Sequence, residues 1–335
     1  MAVAKSDAIN REALDAQTLR GMYRHMLRSR VLDERMWVLN RQGRAPFWIS
    51  AIGHEAIQVA VGMNMEKGKD WLAPYYRDLA LTLVLGMTPR DHLLSVLAKA
   101  EDPNSGGRQM PAHYGSRRHN IISTGSPVTT QLLHADGIAL AMQLRGEDAV
   151  CVTAMGEGST SGGDFHEALN FAATHKLAVV FVVENNGYAI SVPLDKQMPT
   201  PNVADRALAY GFPGITVDGS DAMACHRAAH DAIQRARSGA GPTLLEAKVN
   251  RLTSHSSDDD QRRYRSAEDL ESERRADCVP RLRALLEDLD VLGPGDADAL
   301  RAELVAEIDE ATAYAESAAD PTPDTAMRYV YAEDA

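Results

Sequence analysis

Leu19, Met22, Tyr23, Met26, Leu27, Val31, Met36 and Leu39 return at steps of three and four residues, the spacing of one helical face, so residues 16–41 predict an amphipathic helix ended near Gly43. Thr88-Pro89 has the form of an N-cap followed by a first-turn proline, and Leu93, Leu94, Val96 and Leu97 carry that helix toward Asp102-Pro103-Asn104. Residues 101–130 hold three prolines and four glycines with no period, which predicts a long irregular segment of the kind that serves sites. From residue 148 the texture changes. Short apolar runs at 149–154, 178–184, 215–219 and 243–249 alternate with helical windows at 162–175, 202–211 and 221–237. Such alternation predicts β-α-β units, hence an α/β fold with a doubly wound, mostly parallel sheet and helices on both faces. Beyond Tyr264 the chain turns charged and rich in Ala and Leu, and two surface helices, 266–289 and 296–317, are expected to close it. The organisation expected is a helical arm over 1–45, the α/β domain over 46–265, and a helical extension over 266–335 packed on that same domain.

Composition narrows the partners. With 35 Lys and Arg against 47 Asp and Glu, the formal charge of −12 speaks against a nucleic-acid surface. Three scattered cysteines without a C-x-x-C pair fit neither a disulfide framework nor a cysteine metal site, and suggest a reducing compartment. No stretch reaches the ~20 apolar residues of a membrane span and the first residues lack an apolar signal core, so a cytoplasmic location is expected.

The chemistry gathers at strand ends. The run 149–154 leads into Gly156-Glu157-Gly158-Ser159-Thr160-Ser161-Gly162-Gly163 and then a helical window, a turn whose backbone N–H groups can face a phosphate. One reading is a dinucleotide site, since Glu184 lies about 20 residues on, where a ribose-binding acid belongs. The spacing, however, is G-x-G-x-x-x-G, and Glu157 would repel a pyrophosphate unless a metal lay between them. Mg²⁺ commonly bridges one or two protein oxygens to substrate phosphates. A second oxygen donor follows at Asn185-Asn186, with 26 residues between Gly158 and Asn185, the length of one crossover helix and one strand.

Gly-Glu-Gly followed at this distance by Asn-Asn resembles the thiamine diphosphate motif. Further stretches extend the likeness over about residues 40–265: Gly107-Arg108-Gln109-Met110-Pro111-Ala112-His113-Tyr114, Gly125-Ser126-Pro127-Val128-Thr129-Thr130-Gln131, Phe171-Ala172-Ala173-Thr174, and Asn185 through Pro193. Together they resemble the α subunit of the E1 component of 2-oxo acid dehydrogenase complexes, most closely the branched-chain type. The resemblance implies oxidative decarboxylation of branched-chain 2-oxo acids such as 3-methyl-2-oxobutanoate and reductive acylation of E2 lipoyl groups. It implies thiamine diphosphate and Mg²⁺ as cofactors, with K⁺ as a further ion. The implied partners are an E1 β subunit in an α2β2 heterotetramer and the lipoyl domain and core of E2. A pyruvate or acetoin E1α and a Rossmann-type NAD-binding protein remain the alternative readings.

Carried over position by position, Glu157, Asn186 and the carbonyl of Tyr188 are the Mg²⁺ ligands. Gly158 and Ser159 line the diphosphate, and Tyr76 and Arg77 match a pair whose arginine is suited to an anion by its planar fork of donors. Ser126 and Val128 fall where the family holds the aminopyrimidine end, Ile190 lies beside the cofactor, and Gly125, Pro127, Thr130 and Gln131 match the monovalent cation segment. His255, in the polar stretch 251–265, matches the active-site histidine. That stretch has almost no apolar residue, which predicts a loop unable to order itself without cofactor. Two points stand apart: Glu184 occupies the place of an arginine of the branched-chain enzymes, and Phe47, Trp48, Ile49 and Ile52 either wall an aliphatic pocket or belong to the core. No residue matches the carboxylate that activates the aminopyrimidine, which the family keeps on its β subunit.

Overall fold

The computed structural model describes residues 14–331. Helix α1 spans Ala16–Arg41, the range its periodicity predicts, and the Asp15 carboxylate caps it by accepting from the Thr18 N–H at 2.7 Å. There follow α2 (Glu55–Asn64), β1 (Trp71–Ala73), α3 (Leu79–Leu85), α4 (Pro89–Val96) with a full Thr88–Asp91 capping box, and α5 (Thr130–Arg145). The second half contributes β2 (Cys151–Gly156), α6 (Gly163–His175), β3 (Val179–Asn185), a small hairpin of β4 (Tyr188–Ala189) and β5 (Val192–Pro193), β6 (Gly214–Asp218), α7 (Ala222–Arg237) and β7 (Thr243–Lys248). Helices α8 (Ala267–Arg275), α9 (Cys278–Asp288) and α10 (Asp296–Ser317) close the chain.

The main sheet has the order β1-β2-β3-β7-β6, and each of its pairs is parallel. Alternate residues of β3 enter different cores: Val180 and Val182 pack with α1, α2 and α7, whereas Val179, Phe181 and Val183 pack with α5 and α6. Burial on both faces is why these strands read as unbroken apolar runs. Because α6 and α7 cover opposite faces, the winding reverses between β3 and β7, and such a reversal opens a crevice at the carboxyl ends of the strands.

Helix α10 lies along α1 and shares its core, with Leu304 and Ile308 buried beside Met22, Met26 and the other apolar residues of α1. Arginines of α1 face acids of α10: Arg24 pairs with Glu303 at 2.7 Å, Arg20 with Asp296 at 3.4 Å, Arg28 with Glu307 and Arg35 with Asp309, while Arg301 of α10 reaches back to Glu34 at 2.6 Å.

Some elements differ from the sequence expectation. The window 202–211 forms a tight 3₁₀ run over Ala204–Tyr210. The expected helix 266–289 is two helices, because Asp277 leaves helical geometry and caps α9 by accepting from the Val279 N–H at 3.1 Å. Helices α2 and α3 and strand β1 are additions. α3 is buried at every residue and α2 at all but its last two, so neither shows a polar face to set a period. No described helix is long and apolar enough to cross a membrane. The three cysteines are free and buried.

Candidate active site

A cleft of about 350 Å³ opens over the carboxyl ends of four parallel strands. The turn after β1 brings Tyr76 and Arg77, the turn after β2 brings Glu157, Gly158 and Ser159, the segment after β3 brings Asn186, Tyr188 and Ile190, and the segment after β7 brings His255. Ser126 and Val128 reach the same cleft from the irregular stretch before α5. Among the residues singled out from sequence, Gly125, Pro127, Thr130 and Gln131 do not line it. The Gln131 side chain instead donates to the Ala154 carbonyl at 2.9 Å, and the Thr130 hydroxyl to Asp164 at 3.2 Å. Phe47, Trp48, Ile49 and Ile52 are also absent from the lining. Trp48 is core, its indole N–H donating to buried Asp33 at 2.8 Å.

The glycine turn is a tight 3₁₀ segment, Glu157–Ser161, and the hairpin of β4 and β5 packs directly on it. A Cβ at Gly158 would stand 2.5 Å from the Ala189 Cβ, so only glycine permits this approach. Glu157 is buried and its carboxylate accepts from the Asn186 N–H at 3.1 Å and the Gln197 amide at 3.5 Å. Among the described residues no cation pairs with it, and burial raises its pKa. Here the donor set fits a divalent ion: a buried, unneutralised carboxylate lines the same cleft as Asn186, whose side-chain oxygen accepts from the Tyr188 N–H at 3.2 Å. The neighbouring asparagine does different work, since the Asn185 amide donates to Glu246 at 2.7 Å beneath the sheet end.

Arg77 is buried, donating to the Ser50 carbonyl and, through Nη2, to the His255 ring Nδ1 at 2.9 Å and the His255 carbonyl at 3.0 Å. A guanidinium only donates, so Nδ1 of His255 accepts and the neutral ring carries its proton on Nε2. Burial, with Arg77 and Arg251 close by, lowers the His255 pKa to about 4, so that neutral form prevails at pH 7. His255 therefore offers the cleft an N–H donor.

The stretch 251–265 is not the solvated loop its composition predicts. Arg251, Ser256, Gln261 and Arg265 are buried, and Arg251 donates to the Ile190 carbonyl at 2.9 Å and the Tyr264 hydroxyl at 2.8 Å. Asp259 accepts from the His255 N–H and the Tyr264 hydroxyl. Hydrogen bonds to charged groups replace apolar burial here, a source of order that hydropathy does not register. Ile190 sits at φ 57°, a strained setting for a β-branched residue, held by the bond from Arg251.

Glu184 serves neither a ribose nor the diphosphate; of the two outcomes open for an acid in an arginine's place, it takes the one in which it faces away from the cleft. Its side chain points away from the cleft, under α2, where His54 Nδ1 lies 2.6 Å and the Gln58 amide 3.1 Å from Oε2. Burial pushes the Glu184 carboxyl up to about 7 and the His54 imidazole down to about 3. Burial, with the Glu184 charge beside it, also raises Asp78. Gln58 extends the network to the site, donating to the Arg77 carbonyl at 2.9 Å and accepting from the Ala80 N–H at 3.0 Å. An acid so placed cannot bind a ribose in the cleft, so the dinucleotide reading loses the residue that supported it. Glu184→Ala is expected to destabilise the protein by about 2–4 kcal/mol in urea unfolding, since buried donors lose their acceptor and a cavity opens. A loss under about 1 kcal/mol would show that the network holds little. His54, Gln58, Gln197 and Ser50 carried no sequence signal as part of this site.

A parallel α/β sheet whose strand ends bring a buried carboxylate, an asparagine, an arginine and a neutral histidine around one glycine turn defines a class of protein with a polar ligand cleft at the carboxyl edge of its sheet. More particularly, the chain belongs to the dehydrogenase E1 component family, which matches residues 23–324. It is 48% identical over 312 residues to the 2-oxoisovalerate dehydrogenase subunit alpha of Bacillus subtilis, covering 93% of this chain and 94% of that protein. Similarity extends to the 3-methyl-2-oxobutanoate dehydrogenase subunit alpha of Mycobacterium tuberculosis, 41% identical over 82% of this chain and 72% of that one. The pyruvate dehydrogenase E1 component subunit alpha of Staphylococcus aureus is 39% identical over 78% of this chain and 68% of its own length. Membership of the family implies thiamine diphosphate as cofactor, and an α chain of an E1 component implies a β partner and an E2 core.

Proposed function

We propose that this chain is the α subunit of a branched-chain 2-oxo acid dehydrogenase E1, binding the diphosphate end of thiamine diphosphate through Mg²⁺ in the cleft at the strand ends. The observation that carries the reading is the meeting of Glu157, Asn186, Arg77 and His255 around one glycine turn. When bound, thiamine diphosphate supplies a carbanion that adds to the 2-oxo carbon and an electron sink for the loss of CO₂. Glu157, the Asn186 side-chain oxygen and the Tyr188 carbonyl would hold the metal. Gly158 and Ser159 present backbone to the diphosphate, and Arg77 supplies positive charge at the floor of the cleft. Ser126 and Val128 hold the aminopyrimidine end. His255 offers its Nε2–H to a carboxylate or phosphate oxygen without first having to lose a proton.

No residue of the cleft lining supplies a further carboxylate for the aminopyrimidine besides Glu157, which is committed to the metal. That acid is assigned to the β subunit, and the working unit to an α2β2 heterotetramer that passes the acyl group to E2 lipoyl domains in the cytoplasm. Gly125, Pro127, Thr130 and Gln131 are assigned to a K⁺ site bracing the segment that carries Ser126.

Reconstitution tests the reading. The pure chain should turn over no 2-oxo acid, and activity should appear on assembly with the β subunit, with 3-methyl-2-oxobutanoate preferred over pyruvate by the ~10–200-fold that an apolar pocket gains from extra methyl groups. Turnover by the α chain alone would contradict the half-site assignment. A preference reversed toward pyruvate would move the protein to the class of its Staphylococcus aureus relative.

A further inference from the structure

The segment that carries Ser126 is clamped to the segment before it. Ser116 and Ile121 exchange backbone hydrogen bonds at 2.8 and 3.0 Å, and a Cβ on Gly115 would stand 2.4 Å from the Ser123 hydroxyl, so the two runs touch through a glycine. Just upstream, Ala112 takes φ 64°, an uncommon setting for a residue with a side chain, and the turn it makes brings His113 against Ser126. His113 Nε2 lies 2.7 Å from the Ser126 hydroxyl oxygen, while Nδ1 lies 3.1 Å from the Met110 carbonyl and 3.2 Å from the Pro111 carbonyl.

For a neutral imidazole these partners set the direction of the protons along the chain of bonds. Carbonyl oxygens only accept, so Nδ1 carries the imidazole hydrogen; in the neutral ring Nε2 is then an acceptor, and the Ser126 hydroxyl donates to it. With its one proton committed, the Ser126 oxygen has only lone pairs left to present. Ser126 lines the cleft, whereas His113 does not.

We propose that His113 is a positioning residue for the ring end of the cofactor: by taking the Ser126 proton it makes the Ser126 oxygen a fixed acceptor for an N–H donor of the bound ring. The inference rests on the thiamine diphosphate reading and adds to it a residue that acts only through another. An unconstrained serine would divide its time between donor and acceptor orientations, and the imidazole removes that freedom before the ligand arrives, the general advantage of a preorganised site.

Calorimetry on the full chain assembled with its β subunit tests this with two probes, thiamine diphosphate and inorganic pyrophosphate, each with Mg²⁺. His113→Leu should weaken thiamine diphosphate binding by about 5–10-fold, the scale of one hydrogen bond, and leave pyrophosphate unaffected. His113→Gln, which keeps an acceptor near the place of Nε2, should restore most of the loss. In a Ser126→Ala background His113→Leu should have no further effect, because the hydroxyl through which it acts is gone. Equal loss for both probes would reduce His113 to a loop support and overturn the proposal, as would a Gln variant no better than Leu, or losses that simply add in the double variant. Wild-type protein that binds pyrophosphate and not thiamine diphosphate would strike the cofactor reading itself, and the inference with it.

Discussion

Glu157→Gln is expected to abolish the rise in melting temperature that thiamine diphosphate and Mg²⁺ give together, with affinity for the pair falling by more than ~100-fold. The carboxylate is buried, unpaired with any cation among the described residues, and burial already disfavours its charged form. A divalent ion would reverse that balance, and a neutral amide cannot replace the charge in a hard-cation site. The same substitution keeps the shape and the bond from the Asn186 N–H, so the protein without ligand should melt no lower than wild type. Titration calorimetry with and without Mg²⁺ reads the first effect and thermal denaturation the second. Retained metal-dependent binding would remove Glu157 from the ligand set.

The second large effect is on stability. Asp136, on α5, is buried with neither carboxylate oxygen hydrogen-bonded among the described residues, and burial alone raises its pKa to about 8. A carboxyl whose folded pKa is raised gives stability present below its unfolded value near 3.8 and lost as pH climbs toward 8. At pH 7 keeping that proton costs roughly 4 kcal/mol, at about 1.4 kcal/mol per unit. Asp136→Asn should therefore raise the unfolding free energy at pH 7.5 by about 2–4 kcal/mol and flatten the decline between pH 4 and 8. His54 and His255, lowered to about 3 and about 4, act with the opposite sign: their contribution is lost as pH falls below 6.5. The difference between wild type and variant isolates Asp136 from them. Urea titrations at several pH values check it, and parallel curves would mean that the native carboxyl has found a donor.

What could be read from sequence follows from what each residue type announces. Strands β2, β3 and β7 were legible because burial on both faces leaves continuous apolar runs, and α1 because one face is wet. The cleft was legible where chemistry is written into local spacing, as with Glu157 and Asn186 at the ends of adjacent strands. Illegible were the residues whose meaning is a long-range partner. Gln58 looks like a polar interruption in an apolar helix until it is seen bridging Glu184 and the Arg77 carbonyl. For Glu184 the sequence leaves two outcomes, a missing cation at the diphosphate or a side chain facing away, and the contact with His54 near α2 decides for the second. The packing of 251–265 was hidden in part for the same reason, since Arg251 finds the Ile190 carbonyl only on folding, while the local bonds of Asp259 leave no mark in hydropathy.

The pairing of α1 with α10 bears on how the protein is made. Arg20, Arg24, Arg28 and Arg35 lie on α1 and Asp296, Glu303, Glu307 and Asp309 on α10, so each pair joins residues 274–279 positions apart. Each exposed pair contributes little by itself, but the apolar stripe beneath them, Met22 and Met26 against Leu304 and Ile308, stays open until α10 has been made and docks. Any intermediate that forms before α10 docks therefore carries an uncovered apolar seam on α1. Loss of α10 would leave the cleft residues in place in the sequence and strip the apolar face of α1 of its cover.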